Sequence, residues 1–294
     1  MRSPRILAVV LLVVALAACD KSADHGSAWV PPAPSAGDTA SPAAPESSSA
    51  SASVSAGSRS PKPSTSGSSA STTAAPPAGN TYADRLPKFG KPPKADQIHF
   101  PESDGAAYYS RIPTDQPVAF LTIDDGWIKR PEALELFKES GVAVTLFLTI
   151  NAIKDDPAYF KRLQDTGAII EAHTLTHPEL KGKPYSFQKK EICGSADQLA
   201  TMFGKRPTLF RPPFGDKDAT TLKVAHECGL KAGFFWKETI DKGIVRYQEG
   251  NTVKQGDIIL MHFRDRFVDD FIAALQAISA AGLTPALLED YMPA

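Results

Sequence analysis

Two carboxylates stand side by side at Asp124 and Asp125, where the apolar run Leu121-Thr122-Ile123 stops just before Gly126. Like charges at that spacing repel unless a cation lies between or beside them, so the pair calls for a metal ion or an arginine. The plainer alternative is a solvated turn, with Asp capping a helix and Gly making the bend. Further along, His173 and His177 lie four residues apart in His173-Thr174-Leu175-Thr176-His177-Pro178. Two neutral imidazoles and one carboxylate make a three-ligand site with open positions, the arrangement of catalytic rather than structural zinc, although iron or cobalt also suits that set. If Asp125 joins the two histidines, Asp124 is left beside the open positions as a base able to take a proton from water. Arg211 can then pair with Asp124, keeping it ionised and aimed, on a backbone stiffened by Pro212-Pro213. His262, at the end of Ile258-Ile259-Leu260-Met261, is a candidate general acid. Trp127, Phe214 and Trp236 are candidate sugar-stacking walls, with packing in the core as the alternative for each aromatic.

The elements that must position these side chains follow from the spacing of apolar residues. Short apolar runs predict strands at Val118–Ile123, Val142–Thr149, Ala168–Glu171, Pro207–Phe210, Lys231–Phe235, Asp257–Met261 and Pro285–Leu288. Helical spacing between them predicts helices at Pro131–Ser140, from Pro157 to Gly167, at Ser186–Phe203, Asp218–Glu227 and Phe267–Ala281. Strand and helix alternate, which implies right-handed crossovers and a parallel sheet. About seven strands of similar length favour an α/β fold closed into a barrel, or an incomplete one. On this map Asp124 and Asp125 follow the first strand, His173 and His177 the third, and Arg211 the fourth. Trp236, Glu238 and Asp241 follow the fifth, and His262 the sixth. All fall just beyond C-terminal strand ends, which converge on the face where parallel α/β folds build their sites. Scattered surface residues would not sort this way, so the site reading of the aspartate pair displaces the turn reading.

The first quarter of the chain reads differently. Residues 1–18 carry Arg2 and Arg5 before an apolar run from Ile6, the layout of a secretory signal, and end Leu16-Ala17-Ala18 before Cys19. That ending resembles the lipobox of bacterial lipoproteins, with Cys19 as the lipidated residue that anchors the protein to the outer face of the cell membrane. Residues 19–80 comprise this anchor and a Ser/Ala/Pro-rich stretch with too little apolar surface to offset the entropy of ordering, and read as a linker. Residues 81–117, rich in Pro and Lys, read as an irregular lead-in over a catalytic domain at 118–294. A net charge of −1, with no basic block, gives no argument for nucleic acid. Cys193 and Cys228 either pair, as export allows, or remain buried thiols. The protein is expected to act as a monomer.

The motifs together resemble the polysaccharide deacetylase family, the NodB-homology domain of carbohydrate esterase family four. Thr122-Ile123-Asp124-Asp125-Gly126 is similar to its first motif, His173-Thr174-Leu175-Thr176-His177-Pro178 to its second, Arg211-Pro212-Pro213-Phe214-Gly215 to its third, and Leu260-Met261-His262 to its last. The resemblance runs from Val118 to the C-terminus. It implies a deformed parallel (β/α) barrel and a divalent metal, usually Zn2+, held by Asp125, His173 and His177. It further implies Asp124 as base, Arg211 holding that base, His262 as acid, and the Phe214 backbone N–H as an oxyanion donor beside the metal. The implied substrate is an N-acetylated polysaccharide or oligosaccharide, hydrolysed to acetate and an amine.

One motif departs from the pattern. The family's fourth motif sets an aspartate directly before a tryptophan, and that aspartate tunes the acid histidine. Here Phe235-Trp236-Lys237-Glu238-Thr239-Ile240-Asp241-Lys242 has no such pair. Asp241 or Glu238 substitutes for it, or nothing does. Three functions fit: an N-acetyl deacetylase acting outside the cell, an O-acetyl xylan esterase, or a surface glycan-binding protein that has lost activity.

Overall fold

Strand and helix alternate along the chain in a computed structural model that describes residues 82–293. Ten strands are present among the described residues. They are β1 (Ala107–Tyr109), β2 (Val118–Asp125), β3 (Thr145–Leu148), β4 (Ile169–Ala172), β5 (Leu209–Phe210), β6 (Ala232–Phe234), β7 (Glu238–Asp241), β8 (Ile244–Tyr247), β9 (Ile258–His262) and β10 (Thr284–Pro285). The helices are α1 (Glu132–Ser140), α2 (Ile150–Ile153), α3 (Pro157–Gln164), α4 (Tyr185–Phe203), α5 (Ala219–Glu227) and α6 (Phe267–Ala280). The sheet runs β1-β6-β5-β4-β3-β2-β9-β7-β8, with β10 added to β2, and every pairing is parallel except β7 with β8. It curls into an open, deformed barrel. Phe120, Phe147, Leu209, Phe234, Ile258 and Leu260 fill one face of the sheet with Tyr291, while the helices cover the other.

Local chemistry explains the element ends. Gly141 and Gly204 close α1 and α4 in left-handed backbone that a glycine adopts without strain. Asp218 caps α5 through a reciprocal hydrogen-bond pair with Thr221, and Asp156 caps α3 ahead of Pro157. Cys193 on α4 and Cys228 after α5 form a disulfide with Cα atoms 5.1 Å apart, which settles the alternative left open above.

Six of the seven expected strands form, the last shrinks to Thr284–Pro285 in place of Pro285–Leu288, and three more join them. The lead-in is not irregular throughout: its residues 107–109 form β1 on β6, and Leu86, Ile98, Ala106 and Ile112 are buried. Only three residues pair there, too short a run for its alternation to show. The β7–β8 hairpin escaped notice because its turn, Lys242-Gly243, has a lysine where both residues take positive φ (57° and 72°). The signal, anchor and linker readings fall on residues 1–80, outside the described residues. No described helix is long and apolar enough to cross a membrane.

Candidate active site

Asp124 and Asp125 are the last two residues of β2 rather than the turn beyond it. The strand ends there because Asp125 and Gly126 both take positive φ, 77° and 108°. A side chain at Gly126 would place its Cβ 2.6 Å from Ile153 and 2.9 Å from Phe160, so the bend needs glycine for space as well as conformation. Successive strand residues point to opposite sides, and the bend redirects the second, so the two carboxylates meet different partners.

Asp124, only 2% exposed, accepts a hydrogen bond at Oδ1 from Arg211 Nη1 at 2.7 Å. Arg211 follows β5, and its guanidinium is wholly buried. Nη1 also donates to Thr122 Oγ1 (2.8 Å), Nη2 to the Phe235 carbonyl (3.3 Å) and Nε to the Phe234 carbonyl (3.4 Å). The Phe147 ring lies 4.4 Å from the guanidinium carbon. A buried cation held on all sides fixes the adjacent carboxylate in place, which a loose surface pair would not do.

Asp125 faces the histidines. Its Oδ1 lies 3.3 Å from His177 Nε2 and 3.5 Å from His173 Nε2, and the three ligand atoms fall within 4.8 Å of one another. That oxygen is buried without a hydrogen-bond partner. His173 Nδ1 is 2.6 Å from the Arg211 carbonyl, which can only accept, so Nδ1 carries the proton and Nε2 turns a lone pair towards Asp125. Burial disfavours charge on His173, but Asp124 and Asp125 outweigh it and raise its pKa. Electrostatics that hold a proton there would also favour a metal cation. Burial, then the charge of His173, pushes His177 down to about 4, so it is neutral and able to ligate at neutral pH. Burial opposes ionisation of Asp125, yet His173 beside it and then the other surrounding imidazoles hold its carboxyl well below the ordinary range. An orphaned buried oxygen and two lone-pair nitrogens converging on one spot fit a divalent metal.

His262, at the end of β9, is the register partner of Asp124 and so sits beside it on the same rim. Its Nδ1 is buried without a partner, and burial lowers its pKa although Asp125 and Asp124 pull the other way. Neither acid proposed for the fourth motif pairs with it. Asp241 accepts from Arg264 at 3.2 Å, and Glu238, at the other end of β7, is buried against Asp257. Both carboxyls went astray in the sequence reading because the unforeseen hairpin carries them off the expected loop.

Around the rim, Phe214 is 53% exposed in left-handed backbone (φ 62°), with its ring 4.8 Å from that of His177. Trp127 is exposed as well. Trp236 is not a wall: it is buried, stacked on Phe235 at 4.0 Å and 5.8 Å from the Arg211 guanidinium. Two contributors were missed. Thr122, a lone hydroxyl in a buried apolar strand, bridges Arg211 and the Ile259 carbonyl (2.6 Å), and its polarity in that run was a usable signal. Tyr108 of β1 donates to the Gly215 carbonyl at 2.8 Å, tying down the Phe214 loop, and nothing in the local pattern marked it.

A family model described as polysaccharide deacetylase matches residues 111–233. An uncharacterized Streptomyces coelicolor protein is 39% identical over 189 residues, covering 62% of this chain and 75% of that protein. The Bacillus subtilis peptidoglycan-N-acetylmuramic acid deacetylase PdaA is 30% identical over 179 residues, covering 55% of this chain and 68% of its own. A Bacillus anthracis structure described as a CE4 family pseudoenzyme shares the fold, with a TM-score of 0.56 at 18% identity, over 64% of this chain and 69% of the other.

Proposed function

This chain belongs to the polysaccharide deacetylase family, and from that premise we propose that it is a metal-dependent hydrolase removing N-acetyl groups from an N-acetylated glycan of the cell wall or of chitin type. The observation that carries the reading is the split of Asp124 and Asp125 between a buried arginine and a pair of histidines. Asp125, His173 and His177 would hold a divalent metal, Zn2+ being suited to this set, and a metal there polarises the acetamide carbonyl and acidifies water. Asp124, held in place by Arg211, takes the proton from the attacking water. In this reading the Phe214 backbone N–H stabilises the developing oxyanion. His262 delivers a proton to the departing amine nitrogen, and the products are acetate and a free amine. Trp127 and Phe214 offer exposed faces for sugar rings.

The resemblance of 30% to a peptidoglycan deacetylase favours an N-acetylated wall glycan over acetylated xylan. A pseudoenzyme of the same fold keeps the glycan-binding alternative in view, and the unpartnered Nδ1 of His262 is what favours it. The lipobox-like Leu16-Ala17-Ala18-Cys19 supports a lipid anchor on the outer face of the cell membrane, and the Cys193–Cys228 disulfide suits that oxidising side.

Acetate release from a panel of peptidoglycan, chitin oligomers and acetylated xylan, with chelator and metal add-back, tests this. N-acetyl release that stops on chelation and returns with Zn2+ is expected. Release of acetate from xylan alone selects the esterase, release indifferent to thorough metal removal excludes the metal site, and binding without release selects the glycan-binding protein.

A further inference from the structure

His177, unlike Asp125, is not on a strand. It ends a loop after β4 in which Thr174 and His177 both take positive φ, 71° and 61°, conformations that crowd any residue with a Cβ. Such a loop keeps its shape only if its surroundings over-determine it. One side is held by α2, whose Ile150 and Asn151 N–H groups donate to the Thr174 and Leu175 carbonyls at 3.2 and 2.9 Å. Within the loop, His177 N–H donates to Thr174 Oγ1 at 3.0 Å.

The other side is held by a single carboxylate. Glu191, on α4 and 4% exposed, accepts at Oε2 from the Leu175 N–H (3.1 Å) and the Thr176 N–H (2.9 Å), and at Oε1 from the Thr176 hydroxyl (3.0 Å). Both oxygens are thus spent on the two residues immediately before His177. One turn further along the same helix, Gly194 lets the loop close in: a Cβ there would lie 3.0 Å from Leu175 Cδ1. Glycine inside a helix is otherwise unfavourable, so its presence marks this approach. The Cys193–Cys228 disulfide pins α4 beside these contacts.

We infer that Glu191 is a positioning residue that presents His177 to the metal, acting through the 174–177 loop without touching metal or substrate. This rests on the metal-site reading of Asp125, His173 and His177. The test compares the full-length chain with Glu191→Gln and Glu191→Ala. Zn2+ affinity is measured by competition with a chromophoric chelator, the Co2+ form by its visible spectrum, and the metal-free proteins by urea unfolding. Glu191→Ala is expected to weaken Zn2+ binding by about 10- to 100-fold, the range seen when a group orienting a metal ligand is lost, and to alter the Co2+ spectrum. Glu191→Gln, which keeps one acceptor for the N–H groups, is expected to fall between, and serves alone if the alanine variant does not fold. Wild-type Zn2+ affinity and Co2+ spectrum in the folded variants, whatever their urea midpoints, overturn the inference and leave the metal site standing. Failure of the wild-type chain to take up Zn2+ overturns both.

Discussion

Two of the pairs of neighbouring acids buried among the described residues are treated in opposite ways. At the C-terminal rim, Asp124 is bonded to Arg211 and Asp125 faces His173 and His177, with His173 Nε2 also 3.7 Å from Asp124 Oδ2. At the N-terminal end of β9, Glu238 lies against Asp257, whose carboxylate already accepts from Arg111 Nε at 2.5 Å and from the Lys254 N–H at 2.7 Å. With the cation taken by Asp257, Glu238 answers its burial and its neighbour by keeping a proton, and its pKa is pushed up to about 9. Asp125 keeps its charge beside the histidines, and Glu238, away from them, gives its charge up. The difference lies in the supply of positive partners, since both pairs are buried.

The largest consequence concerns Arg211. Arg211→Leu leaves Asp124 buried without its cation, and urea unfolding should show a loss of about 3–5 kcal/mol. Adding Asp124→Asn to that variant should recover much of the loss. A single variant as stable as the wild type would mean that buried Asp124 does not depend on the arginine as its partner, and the contrast between the two pairs would fail.

The second acid pair gives a pH signature. Glu238 keeps its proton in the folded protein to about pH 9, against an ordinary value of 4.5 when the chain unfolds. Its contribution to stability is therefore complete below about pH 4.5 and drains away as pH rises through 9. Glu238→Gln, which cannot ionise, should match the wild type in thermal midpoint near pH 5 and exceed it increasingly towards pH 9. A difference that stays constant with pH would show that Glu238 is ionised like Asp125.

The smallest effect belongs to Asp241. Its exposed pairing with Arg264 is of a kind worth about 0–1 kcal/mol, so Asp241→Asn should change kcat by less than about threefold. A drop in kcat of about a hundredfold, with a shifted alkaline limb, would restore Asp241 as the group that tunes His262.

Much of this was legible in the sequence for a physical reason. Buried parallel strands are continuous apolar runs, and a site built at their ends places its polar residues where those runs stop, so Asp124, His173, Arg211 and His262 announce themselves by position. What stayed hidden does not depend on pattern. Tyr108 reaches the Gly215 carbonyl from a three-residue strand, and the hairpin carrying Glu238 and Asp241 is half exposed with a lysine in its turn. Glu191 lies in a helix whose spacing explains its burial equally well as a packing position. The partner of His262 was the harder case: the sequence offered two acids, and three-dimensional structure pairs one with Arg264 and the other with Asp257.

The division of labour between the adjacent aspartates is tested most directly by metal content and acetate release measured together on Asp124→Asn and Asp125→Asn. Asp124→Asn should retain Zn2+ at wild-type stoichiometry while turnover falls by about 10²–10⁴-fold, and Asp125→Asn should lose the metal and the activity together. Metal lost from Asp124→Asn and retained by Asp125→Asn would contradict the assignment and exchange the two roles.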